Sequence, residues 1–353
     1  MAAGCDTCAV RDLTEPPGSP GLRSPAGSAL SRAQPSSPGP EREAASARPA
    51  GGAIAVLAGA AAWGSTGTAA HFAPRGASSV SVGSARIALG GLVLLAIAVW
   101  TAEGRRAVAR LLAGSRRVRA SLAVAAAAVS GYQLCFFTAV RMTGVAIGTV
   151  VAIGSAPVFT GLLSKLTGGP RLDRRWMLAT AAAVAGCTVL VGGGRSAGAS
   201  PGGVLLALAA GFCYAIYAVA AARLISAGNQ ESTVMGLLFG GAAVLLAPVL
   251  ATSSTGWLLT GRGLAVTVYL GLVTTVLGYL LYGRGLRTVS APVAVTLGLA
   301  EPVVAAMLGL IVLGERLTPT ALIGLILVGF ALAALALGRR QGGPAGPPVG
   351  PPG

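Results

Sequence analysis

Ten apolar stretches of about 18–24 residues, each long enough for the ~30 Å hydrocarbon core of a bilayer, fill most of this chain. They cover approximately 53–71, 78–100, 121–140, 144–165 and 176–191, then 203–224, 233–252, 263–282, 290–313 and 320–337. Lipid offers the backbone no hydrogen-bond partner, so stretches of this length are expected to cross it as α-helices. The fold class that follows is an all-α polytopic membrane protein with ten transmembrane helices. Composition agrees, with 54% hydrophobic and 10% charged residues, against about 25% charged in a soluble domain.

The stretches are also written twice. Thr149 to Val158 reads TVVAIGSAPV and is followed by Arg171-Leu172; Ala294 to Val303 reads AVTLGLAEPV and is followed by Arg316-Leu317. Both the prolines, Pro157 and Pro302, and the Arg-Leu pairs are offset by 145 residues without a gap. Leu57 to Trp63-Gly64 matches Leu208 to Tyr214-Ala215, and Tyr132 through Arg141 resembles Tyr279 through Arg287. Five spans per copy is an odd number, so the copies have opposite orientation, the layout of carriers that bind near the bilayer midplane. The expected division is a first five-helix repeat at 51–193, a second at 203–338, and tails at 1–50 and 339–353. The first tail is rich in Pro, Ser, Ala, Gly and Arg and the second in Gly and Pro, both without apolar periodicity, which predicts disorder.

A net charge of +16 raises nucleic acid as a partner, but the cations form no single patch. They lie in short runs between spans, as the positive-inside bias arranges them. With both termini cytoplasmic, the inside loops hold fifteen Lys and Arg, among them Arg105, Arg106, Arg110, Arg116, Arg117, Arg119, Arg284 and Arg287. The outside loops hold five: Arg75, Arg141, Arg195, Arg262 and Arg316. That asymmetry sets the expected orientation in a bacterial plasma membrane. The loop Arg105–Arg119 is expected to rest on anionic headgroups. Cys5 and Cys8 form a lone CxxC without a second pair, Cys135, Cys187 and Cys213 read as small core residues, and no metal set is expected. A homodimer is one expectation for the assembly.

Together the inverted halves, Trp63-Gly64, Arg86 and the run Ala300-Glu301-Pro302-Val303 leading to Leu313-Gly314-Glu315-Arg316-Leu317 resemble the EamA family of the drug/metabolite transporter superfamily over residues 53–338. The first half departs from this pattern, since Pro170 stands where Glu315 stands in the second. The resemblance implies a central cavity lined by helices 1–4 and 6–9, with helices 5 and 10 at the periphery. It also implies small metabolites as cargo, often amino acids or their derivatives, usually moved outward.

The residues point to candidates on their own. Arg86 falls about eight residues into the second span, roughly 12 Å deep at 1.5 Å per residue. A buried arginine costs ~2.5–3.5 kcal/mol on the insertion scale, so it should face a partner or water. Its planar fork suits a substrate carboxylate, with a fixed contact to a helix end as the bland reading. Glu301 is the one acidic residue deep in a span. It can carry a coupling proton, bind an ammonium group or pair statically with Arg86. Pro302 is expected to free the Gly298 carbonyl, and Pro157 that of Ile153. Trp63, Tyr132, Phe136, Tyr214, Tyr217, Tyr279 and Tyr282 can shape an amphipathic pocket, and core packing explains most of them equally well.

His71, the only histidine, is expected at the outer interface. Gly144-xxx-Gly148 and Gly236-xxx-Gly240 read as helix-packing signals, and Glu315-Arg316 as a cap or gate at the outer end of the ninth span. No Walker motif is present and no cofactor is expected; proton coupling through Glu301 and facilitated diffusion both stay open. The chain is thus expected to be a secondary carrier of small solutes rather than an enzyme. A multidrug exporter is the rival within the class, and a membrane enzyme or a scaffold or receptor the rivals outside it.

Overall fold

The computed structural model describes residues 40–170, 172–192, 200–314 and 318–337. Residues 1–39, Arg171, 193–199, 315–317 and 338–353 lie outside the described residues. With them go most of both expected tails, the Cys5-x-x-Cys8 motif and the Glu315-Arg316 gate. The described chain is helical throughout: α1 Pro40–His71, α2 Ser79–Val99, α3 Ala102–Leu112, α4 Arg116–Thr143, α5 Val145–Leu166, α6 Arg174–Gly192 and α7 Pro201–Ser226. There follow α8 Glu231–Ala251, α9 Gly261–Tyr269, α10 Gly278–Leu286, α11 Ala291–Leu297, α12 Ala300–Val312 and α13 Pro319–Leu337. α9 and α10 form one span joined by a π-helical stretch, Leu270–Leu277, and α11 and α12 form another.

Among the described residues, nine helices are long and apolar enough to cross a membrane. The tenth expected span, 176–191, is on α6, which opens with Arg174 and Arg175. α6 lies along α13, itself one of the nine. At their crossing a methyl group on Gly186 would stand 2.9 Å from the Val328 backbone nitrogen. α1 begins at Pro40 and so runs back into the residues expected to be a tail. The local sequence explains it: a proline suits the first helical position, and the Glu41–Ala47 segment is dominated by good helix formers.

Helix starts follow side-chain caps. The Ser78 hydroxyl accepts from the Ser81 amide at 3.1 Å, Thr101 from Gly104 at 2.9 Å, Thr260 from Gly263 at 3.0 Å and the Asp173 carboxylate from Trp176 at 2.8 Å. Gly144, expected as a packing glycine, instead has φ +82 with open space about it and turns the chain from α4 into α5. Gly236 and Gly240 do pack, against the backbone of Leu94 and the side chain of Leu95.

The two repeats interlock rather than sit side by side. α2 packs against α8, α4 against α7, α1 against α10 and α12, and α5 against α7. The partners of α1 and of α7 correspond, which is the two-fold relation that inverted copies require. Lipid tails supply no hydrophobic drive between helices, so close contact must come from small residues. Ala60, Ala125, Ala156, Ala210, Ala218 and Ala242 accordingly have no exposed surface. The arginine-rich end of the bundle carries α3 and the Glu231 carboxylate, which meets Arg287 at 3.5 Å and Arg284 at 3.9 Å. The far end carries the turn after His71, where the Trp257 indole donates to the Ser81 hydroxyl at 2.9 Å.

Candidate functional site

Between the halves lies a cavity of about 600 Å³. It runs from mid-bundle to the far end, where Ala70, Ala73, Ala77 and Ser79 line it. Six of the residues singled out in the sequence meet in its wall: Trp63 on α1, Arg86 on α2, Tyr132 on α4, Tyr214 on α7, Tyr279 on α10 and Glu301 on α12. Pro302, Phe136 and Tyr217 line it as well. Pro157 does not, although its neighbour Ile153 does, and His71 is exposed against Phe72.

Aromatic rings close the cavity toward the arginine-rich end. Trp63 stands 4.8 Å from Tyr279 and 5.3 Å from Tyr282, and Tyr214 stacks on Tyr217 at 5.0 Å. Phe239 and Tyr279 meet at 3.9 Å, and the Tyr217 and Tyr279 hydroxyls are 3.5 Å apart. Tilted and offset ring pairs of this kind pack favourably while keeping polar tips in reach of the cavity.

The charges sit above this floor. Arg86 is only 9% exposed. Its Nη2 donates to the Gln133 side-chain oxygen at 3.2 Å, and the Gln133 amide nitrogen donates to the Gly83 carbonyl at 3.1 Å. This chain of bonds fixes the guanidinium plane and leaves Arg86 Nε without a partner. Trp63 Nε1 and Thr66 Oγ1, both on the cavity wall, are likewise buried and unpartnered. Buried polar groups of native proteins are rarely left so; the Trp63 nitrogen faces Gly278 of α10, and all three atoms are enclosed by the protein.

Glu301 and Arg86 are near enough to interact electrostatically. Among the described residues, however, the ion pairs are those of Glu231, and no nitrogen of Arg86 comes within 4.0 Å of a Glu301 oxygen. The static pair is therefore not formed. The two charges face one cavity separately, which suits a solute carrying both signs or one that bridges them.

Glu301 owes its place to a break in its span. α11 stops at Leu297 and α12 starts at Ala300, directly before Glu301-Pro302. The Gly298 carbonyl, expected to be free, instead accepts the Glu301 amide at 2.9 Å in a tight turn. The proline removes the donor of the next turn, and the chain answers by tightening the turn before it. α1 approaches closely here: a methyl group on Gly64 would lie 2.7 Å from the Glu301 carbonyl oxygen. Only glycine beside Trp63 permits that contact.

Sequence reasoning missed Gln133, Thr66 and the π-helical stretch. Gln133 could have been found by the rule applied to Arg86, since a polar side chain within a span needs a partner. The π-helical stretch is accompanied by the Thr274 and Thr275 hydroxyls, which both donate to the Leu270 carbonyl, at 2.7 and 3.0 Å. π turns inside helices occur often at functional sites, and Leu270 itself lines the cavity.

The chain resembles known proteins in sequence and fold. The profile of the EamA-like transporter family matches residues 50–192 and again 201–337. YwfM of Bacillus subtilis, named an uncharacterized transporter, is 36% identical over 286 residues, spanning 81% of this chain and 94% of that protein. YedA of Escherichia coli K12, named an uncharacterized inner membrane transporter, is 26% identical over 201 residues, 57% of this chain and 65% of that protein. A solved crystal structure superposes with a TM-score of 0.69 at 20% identity, covering 82% of this chain and 98% of its own, which is a likeness of fold.

Proposed function

The chain belongs to the EamA-like transporter family, and from that premise we propose that it exports a small zwitterionic or anionic metabolite, such as an amino acid or a derivative, by alternating access. The observation that carries this reading is the cavity between the halves, where Arg86 and Glu301 face the same space without pairing. The protein is a multi-pass membrane transporter. Its placement in the bacterial plasma membrane with both termini cytoplasmic rests on the arginine asymmetry, and in that orientation the far end is extracellular.

Mechanistically, the guanidinium held by Gln133 takes the carboxylate as a planar two-donor fork. Glu301 takes the ammonium group or a coupling proton, and the rings of Trp63, Tyr132, Tyr214 and Tyr279 hold the apolar part. Coupling to protons through Glu301 and diffusion down a gradient remain the two routes of energy supply. Rocking of the interlocked halves, helped by the helix break beside Pro302, would move access from one end to the other. The amphipathic helix α3, with Arg105, Arg106 and Arg110 exposed on its surface, would rest on anionic headgroups. An exporter of lipophilic cations could use the same aromatic wall and Glu301, but the buried guanidinium repels its cargo.

The test compares extracellular metabolites of cells expressing the wild type with those expressing Glu301→Gln, at equal membrane levels. A small solute accumulating only with the wild type supports export through Glu301. Equal accumulation in both removes Glu301 from the mechanism, and no difference from empty cells removes export.

A further inference from the structure

A second cavity, of about 510 Å³, lies at the arginine-rich end. Its walls are the last turns of α5, α7 and α10 and the start of α11, with Ser164, Thr167, Arg223, Ser226, Arg287 and Thr288 supplying polar groups. The mouth of the central cavity is built from the end of α1 at Ala70, the end of α4 at Val140, the start of α5 at Thr149 and the later part of α12 at Ala305. Under the repeat these four segments correspond to the ends of α7 and α10, the start of the α11–α12 span, and the later part of α5. The second cavity is thus the repeat-related counterpart of the mouth, at the opposite end of the molecule.

The counterparts differ in access and in chemistry. The mouth joins the central site, whereas the buried Tyr217 and Tyr282 stand between that site and the second cavity. Alanines line much of the mouth, while two guanidiniums and several hydroxyls line the second cavity. Arg287 is shared with Glu231, which also meets Arg284, and Arg223 has no ion pair among the described residues. One carboxylate against three guanidiniums leaves a positive surplus beside a concave wall, and low-dielectric walls focus such a field on an approaching ion.

We infer that this second cavity is the loading vestibule for a water-soluble organic anion, its carboxylate or phosphate group drawn in by Arg223 and Arg287, and that it joins the central site when the tyrosine layer parts. This rests on the transporter reading and adds to it the place and charge selectivity of entry. An anion delivered here meets Arg86 next, so the path keeps one sign of attraction from vestibule to site.

Thiol labelling reads the vestibule without any transport. The full chain, with its five cysteines replaced by alanine and Ser226→Cys added, is reconstituted in phosphatidylcholine vesicles. It is treated with anionic and cationic methanethiosulfonate reagents of similar size, each rate normalised to that with a free thiol. The anionic reagent is expected to react about tenfold faster, and the preference to fall to near unity in the Arg223→Gln/Arg287→Gln variant. Equal rates, or a preference that survives loss of both arginines, overturns the proposal. So does failure to label protein that elutes as the native species. Loss of the preference when phosphatidylserine is added would give the pocket to lipid headgroups and overturn the soluble-anion assignment. The export comparison tests the carrier itself, so the two readings can fail separately.

Discussion

Set on the repeat offset of 145 residues, Pro157 falls on Pro302 and Ala156 falls on Glu301. Aligning the helix starts at Ser78 and Gln230 places Arg86 on Leu238, which is fully buried. The aromatic pairs Trp63/Tyr214 and Tyr132/Tyr279, by contrast, occur in both halves and all four line the cavity. The halves therefore repeat their packing and divide their charges. A two-fold copy of either charge would bring like charges into one cavity, whereas one arginine and one glutamate from opposite halves give a site with two poles. The spans that carry the prolines differ in the same sense. α5 runs unbroken through Pro157, while the chain interrupts its helix between Leu297 and Ala300, just ahead of Pro302, and turns Glu301 to the cavity.

That comparison can be broken most sharply at Arg86. Arg86→Ala is expected to lower export of a carboxylate solute by roughly 100-fold, from the ~1.5–3 kcal/mol of a charged hydrogen-bonded contact, with membrane level unchanged. Leu238→Ala, its counterpart, should leave charge selectivity intact and register only in stability. Next comes the close crossing at Gly64. Gly64→Ala should cost about 1–3 kcal/mol as an overpacked contact, seen as a fall in the melting temperature of purified protein. Gly67→Ala, one turn on and facing open space, should change it little.

Gln133→Leu tests whether the guanidinium must be held. It should raise the half-saturating solute concentration about tenfold, the worth of one oriented bond of ~1.4 kcal/mol, with smaller change in maximal flux. An unchanged concentration dependence would make Gln133 a packing residue. The smallest effect is expected from the prolines: Pro302→Ala should slow transport several-fold more than Pro157→Ala, because the helix is broken only at the former. Equal effects would dissolve the distinction between the halves.

Much of this was legible in the chain. Span length and apolarity fixed the helices because lipid permits little else, and the rarity of buried charge singled out Arg86 and Glu301. The convergence of Trp63, Tyr132, Tyr214 and Tyr279 followed from the repeat. Gln133 was passed over because an amide carries no net charge, although burial demands partners for it as well. The π-helical stretch left no mark: LGLVTTVL reads as ordinary apolar helix, and the hydroxyl bonds to Leu270 exist only once the segment is folded. Gly144 showed the opposite error, where spacing suggested packing and the backbone needed a left-handed turn.

The central claim is that one solute spans the two poles of the cavity, and a binding measurement on purified protein tests it directly. The solute exported by wild-type cells, at 100 times its dissociation constant, should stabilise the wild type by about 2.7 kcal/mol. It should stabilise Arg86→Ala and Glu301→Gln by far less at the same concentration. Full stabilisation of both variants would contradict the account, because the solute would then bind without either charge.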